Sequence, residues 1–202
     1  MHDDIRRIMA QIGTFEKELS QRLHQQREGT GFRVEGRRVE FSDEARAAHE
    51  LSRTHLLRWI AASSWRNAVS TPVVCALILP FGFLDLCLAV YQAVCFRLYR
   101  IERVRRGDYI LFDRHKLGYL NFLQKLICVY CGYANGLIAY TREIASRTEQ
   151  YWCPIKHARR VAGAHPRYPR FLDYGDAEEL PVKLQELRTD VQQPPAHGGE
   201  AS

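Results

Sequence analysis

Four side chains have the types and spacing of a metal site. Cys128, Cys131, Cys153 and His157 read C-x2-C, a gap of 21 residues, then C-x3-H. Three thiolates and an imidazole form the tetrahedral donor set of a structural zinc ion, with iron the other candidate, and they leave no position open for catalysis. Gly132 directly after Cys131 permits a positive φ, and Pro154 fixes the chain after Cys153. The geometry is demanding. A straight helix across that gap spans ~30 Å, while the ligands must each lie ~2.3 Å from one ion. A shared metal therefore requires a break, and Gly132, Asn135 and Gly136 are the residues suited to make it.

Two other readings compete for the same thiols. A C-x-x-C pair with Lys125 nearby is a redox template, but helical periodicity puts it mid-helix rather than at an activating N-terminus. Gly132 and Gly136 also have the small-x3-small spacing that lets apolar elements approach closely. On that reading Cys128 and Cys131 are packing residues, beside a polar stripe of Asn121, Cys128, Asn135, Arg142 and Glu149. Cys75, Cys87 and Cys95 lie in an apolar run and read as small packing residues or acylation candidates.

Standard catalytic templates are missing: there is no G-x-S-x-G, P-loop, G-x-G-x-x-G or H-E-x-x-H. An enzyme would need either the thiol pair or His115 with Glu143 and Glu149, acting at a membrane surface on a lipid or quinone. Arg142, Glu143, Arg147 and Glu149 are more simply an ion-paired helix end.

The elements that carry these residues divide into a membrane part and soluble parts. From Asn67 to Phe96 the only charged residue is Asp85, the mark of a membrane segment. Pro80 and Gly82 interrupt it, which predicts a helical hairpin over 67–96 that dips in and returns; a single kinked span over 73–96 is the alternative. Arg53, Arg58 and Arg66 before it, and Arg97, Arg100, Arg103, Arg105 and Arg106 after it, favour both ends on the cytoplasmic side. Trp59 and Trp65 suit the interface.

Before this segment, Ile5, Ile8, Ile12, Phe15 and Leu19 make a coiled-coil seam within residues 1–28, a surface for homo-oligomers. Residues 29–66 predict a small β-hairpin (Phe32, Val34, Val39, Phe41) and a helix capped by Ser42 that runs to about Trp65. Residues 97–188 predict a cytoplasmic helical domain, with a short strand at 109–112 and a long helix over 117–150. Residues 189–202 predict a disordered tail. The fold class is mainly α, with a little β.

The formal charge of +6 is modest. Its basic portion lies at Lys156, Arg159, Arg160, Arg167 and Arg170, placed to meet anionic lipid headgroups with Tyr168 and Phe171 inserting shallowly. Nucleic acid is a poor fit, since no nucleic-acid module accompanies the patch. The opening residues carry no secretory signal, so the thiols are expected to be reduced. The block around Tyr133–Gly136 (YANG) and Tyr151–His157 (YWCPIKH) resembles one in uncharacterised bacterial membrane proteins. The resemblance covers about a quarter of the chain and implies a membrane class without an activity. Together these features predict a membrane-embedded, cytoplasm-facing interaction or scaffold protein with a Cys3His staple, or a membrane-surface enzyme. A third reading keeps the cysteines as packing only.

Overall fold

The structure is a computed structural model that describes residues 2–28, 31–35, 38–52, 55 and 64–193. It is mainly helical and divides into two units. One comprises Met1–Ile60 with Asp113–Lys125, the other Ala61–Phe112 with Leu126–Ser202.

In the first unit, α1 (His2–Glu28) leaves its seam exposed at Ile8, Ile12, Phe15 and Leu19. Strands β1 (Phe32–Glu35) and β2 (Arg38–Phe41) pair antiparallel with Phe32 opposite Phe41 and Val34 opposite Val39, the expected hairpin. Helix α2 (Asp43–Leu51) starts where the Ser42 hydroxyl accepts the Ala45 N–H, with Asp43 and Glu44 in its first turn. It stops at Ser52 rather than continuing to Trp65. Trp59 falls outside the described residues. The His49 ring stands edge-on to both Phe41 and Tyr119, at 5.0 Å each.

The second unit is built on two long helical runs. Helix α3 (Trp65–Ala76) meets α4 (Ile78–Tyr91) at Leu77, and a π-turn (Gln92–Phe96) and Arg97–Tyr99 complete the run. The expected reversal at residues 79–82 is absent, because Pro80 and Gly82 both lie inside α4. Pro80 has no N–H to give the carbonyl four residues back, that of Ala76, and α3 ends at that residue. The proline makes a joint, not a turn. Helix α5 (Phe122–Trp152) is unbroken. Asn121 and Gln124 cap it reciprocally, each side-chain oxygen accepting the other's backbone N–H at 2.9 Å.

Both runs, Trp65–Tyr99 and Phe122–Trp152, are long and apolar enough to cross a membrane by length and composition. Phe96, Leu137, Tyr140 and Ile144 form the core between them. Residues 109–112 form no strand: Tyr109 closes the short turn over Arg106–Asp108 in the αR region, and 110–112 follow without regular structure. They lie instead on the small-residue stripe of α5. A Cβ on Gly136 would stand 2.5 Å from the Tyr109 carbonyl oxygen, and one on Gly132 3.5 Å from that of Leu111. The glycine spacing therefore seats an irregular chain segment rather than a second helix. Helix α6 (Leu180–Gln192) closes the unit with Leu187 and Val191 buried, so the expected tail's first residues, 189–192, are helical, while 194–202 lie outside the described residues.

Candidate functional site

The polar chemistry of the second unit gathers along α5. At its N-terminal half, Asp85 of α4 is held by Arg106, whose Nη2 and Nε donate at 2.6 and 3.2 Å, and by the Tyr133 hydroxyl at 3.1 Å. The carboxylate that stood alone in the apolar run thus has a partner 21 residues away, and the charge is not carried unpaired. Its hydrogen bond raises the pKa of the Arg106 guanidinium.

One stage further along, Gln92 in the π-turn is 1% exposed. Its amide nitrogen donates to the Tyr140 hydroxyl, and its oxygen accepts the Val104 N–H at 2.7 Å. π-Turns recur where a helix serves a local need; here the side chain fixes the backbone of the connection that follows. Sequence reading had no signal for this residue, since a lone glutamine on an apolar helix reads as polar surface.

The C-terminal half of α5 carries the most charge. Glu143 receives Arg147 at 2.8 Å and both terminal nitrogens of Arg167 at 2.8 Å, with Ser146 also contacted by Arg167. Glu149 binds His165 at 2.9 Å. Arg142 donates to the Gly163 and Ala164 carbonyls at 2.9 and 2.6 Å. These bonds tie the segment after α5 back along the helix. The segment is closed by the Leu172 N–H donating to the Pro154 carbonyl and the Lys156 N–H to the Leu172 carbonyl. Burial pushes the Tyr109 phenol up in pKa, and the nearby Glu143 charge adds to it.

This network reassigns the basic residues. Lys156 pairs with Asp173, Arg167 with Glu143 and Arg170 with Asp190. The half-buried Tyr168 accepts the His157 N–H on its hydroxyl at 2.7 Å. Phe171 is 3% exposed, so its ring is not placed to insert into lipid. Arg159 and Arg160 are exposed and make no hydrogen bond or ion pair among the described residues.

The expected metal site does not assemble. Cys128 and Cys131 lie within unbroken α5, while Cys153 follows its last residue. Cys128 and Cys153 are therefore about 37 Å apart along the helix axis. The break that a shared ion demanded at Gly132–Gly136 is absent, because those glycines serve the crossing chain in helical conformation. His157 stacks on Tyr168 instead. No group of three or more His, Cys, Asp or Glu among the described residues could hold a metal ion. The donor set does not fit zinc or iron in this fold.

The enzymatic sets fare no better. His115 belongs to the first unit, in the Arg114–Lys116 turn, while Glu143 and Glu149 have their partners in the second. The His165–Glu149 pair has the form of a base and its orienter, and His165 Nδ1 is buried without a hydrogen-bond partner. Compared with family models, curated proteins and solved structures, the chain matches none. The arrangement holds segments of the second unit together.

Proposed function

We propose that this chain is a membrane-attached interaction protein whose soluble parts face the cytoplasm. One observation carries the reading. The most apolar window of Trp65–Tyr99 has mean hydropathy 2.5, and none of it is buried inside the chain. Apolar surface on that scale is covered by something outside the monomer, and exposed patches this large mark membrane or protein contacts. The arginines flanking the run on both sides support a cytoplasmic position for both ends.

Two further surfaces fit an interaction role. The exposed seam of α1 suits a second copy of the chain. Arg159 and Arg160, the two cations of the basic segment left outside the internal ion pairs, suit anionic headgroups. Fractionation of cells making the full chain tests the reading: the protein should stay with membranes through a high-salt wash. Recovery in the soluble fraction at low salt would end it.

A further inference from the structure

The connection between the two long helical runs restricts how the chain can meet a membrane. Contacts between the runs rise together in sequence. The Tyr130 hydroxyl donates to the Val74 carbonyl at 2.8 Å, Tyr133 reaches Asp85, Tyr91 meets Thr148 at 3.0 Å, and Tyr99 stacks on Tyr151. The helices are parallel. Residues 101–112 must therefore travel back along them, and their contacts run in reverse order. The Glu102 carbonyl accepts from Arg147 at 2.7 Å, Val104 bonds Gln92, Arg106 bonds Asp85, and Tyr109 and Leu111 cross Gly136 and Gly132.

That returning segment is irregular, with Glu102, Arg103, Arg105 and Asp108 exposed. Hydrocarbon accepts neither lipid-exposed irregular backbone nor outward-facing charges. The bilayer core cannot surround this bundle where the three segments lie side by side.

What the run offers instead is apolar surface. Beyond the joint at Leu77, Phe83, Leu86, Val90, Val94 and Leu98 are exposed, while the described residues before it are exposed on every side. At ~100° per residue these five form a stripe on one arc, opposite Phe81, Leu88, Gln92 and Phe96, which face the core. The exposed run from Trp65 to Leu98 is about 50 Å long, well over the ~30 Å thickness of the hydrocarbon core. Arg66, Arg97, Arg100, Arg103 and Arg105 are exposed beside it or at its ends, and the run's one acidic residue is held by Arg106. A second copy pairing through the run would set Arg66 against Arg97, or Arg97 against itself, with no carboxylate to answer. Anionic lipid answers all of them.

We propose that Trp65–Tyr99 lies in the plane of the membrane interface with this stripe in the acyl boundary, and that the chain does not cross the bilayer. This rests on the membrane attachment proposed above. The test uses the full chain in sealed vesicles of mixed anionic and neutral lipid, tagged at both ends, with protease added outside. Both tags should be lost together, and protection of one tag would establish a span and overturn the proposal. Depth is read independently by lipids brominated at known positions, with Phe83→Trp and Val94→Trp introduced singly in a chain whose own tryptophans are Phe. Both should lose fluorescence most to the same shallow lipid. Greatest loss at residue 83 to lipid brominated near the bilayer centre overturns the in-plane placement while leaving attachment intact. Failure of the chain to float with vesicles sinks attachment itself, and a dimer that shields residue 83 from every lipid assigns the stripe to a second copy.

Discussion

Gly136 of α5 lies so close to the Tyr109 carbonyl oxygen that a Cβ there would stand 2.5 Å from it, with the Ile110 backbone at 3.0 Å. Backbone cannot step aside as a flexible side chain can. Gly136→Ala should therefore lower stability by about 1–3 kcal/mol, the range for overpacking, despite a gain of roughly 1 kcal/mol in helix propensity. Gly132, with 3.5 Å to the Leu111 oxygen, has room for a methyl. Gly132→Ala should be neutral or slightly stabilising. Thermal unfolding of the two variants in parallel checks this, and equal effects would mean that residues 109–111 do not seat on the stripe.

The Asp85–Arg106 pair should be asymmetric to mutation. The Asp85 side chain is 17% exposed and that of Arg106 48%. Arg106→Ala leaves a mostly buried carboxylate with only Tyr133 to satisfy it, and should cost about 2 kcal/mol, less than a fully buried pair because Arg106 is half solvated. Asp85→Asn keeps the shape and the Tyr133 contact while removing the charge, so it should cost less. The double variant should recover part of the Arg106→Ala loss. Denaturant titration of the three variants measures the coupling, and strict additivity would remove the pair from the fold's support.

Local structure was legible in the sequence where a local rule determines it. The Ser42 cap, the Phe32/Phe41 register and the extent of α1 follow from residues within a few positions of one another. Long-range placement was not. Pro80 and Gly82 are turn residues in isolation, yet Pro80 sits three residues into a helix whose preceding carbonyl it leaves free. The periodicity of α5 showed which residues share a face but not that an irregular connection would cover its glycines. The basic segment looked like a free cationic patch because its acceptors, Glu143 and Asp190, lie 24 and 20 residues away. The start of the tail read as unstructured because Val191 is a lone apolar residue in sequence, although it is 5% exposed in the core.

That redistribution of the basic residues separates two kinds of arginine. Arg167→Ala removes both bonds that Glu143 draws from the segment after α5 and should open residues 153–173, seen as faster protease cleavage there and a stability loss of about 2–3 kcal/mol. Arg159→Ala with Arg160→Ala should leave unfolding unchanged within ~0.5 kcal/mol. The same double variant should weaken salt-sensitive binding of the full chain to anionic vesicles. Unchanged binding would take those two residues out of the headgroup contact.

The α1 seam makes a prediction about assembly. Ile8, Ile12, Phe15 and Leu19 are each more than half exposed and follow the 4-3-4 spacing of a coiled coil. Ile12→Lys places a charge on that seam. It should reduce the mass of the detergent-solubilised protein, measured by light scattering on a sizing column, while helix content stays the same. A parent protein already monomeric at working concentrations would leave the seam to another partner.

The cysteines separate by position rather than by a shared ligand. Cys153 is exposed just past the end of α5, whereas Cys128 and Cys131 are half-buried on its flank. Two of those thiols near the middle of a continuous helix and one beyond its end cannot meet one ion whose ligands lie ~2.3 Å from it. Alkylation should therefore reach Cys153 before Cys128 and Cys131, at rates a chelator does not change, because access alone controls the order. Cys153→Ser should leave the thermal midpoint where it was, and so should prolonged chelation. A structural zinc site behaves otherwise, since its binding energy is folding energy and chelators unfold such domains. A midpoint that falls on chelation, with Cys128 and Cys153 becoming reactive together, would mean that α5 breaks at Gly132–Gly136 in the metal-bound protein and that the four ligands converge after all.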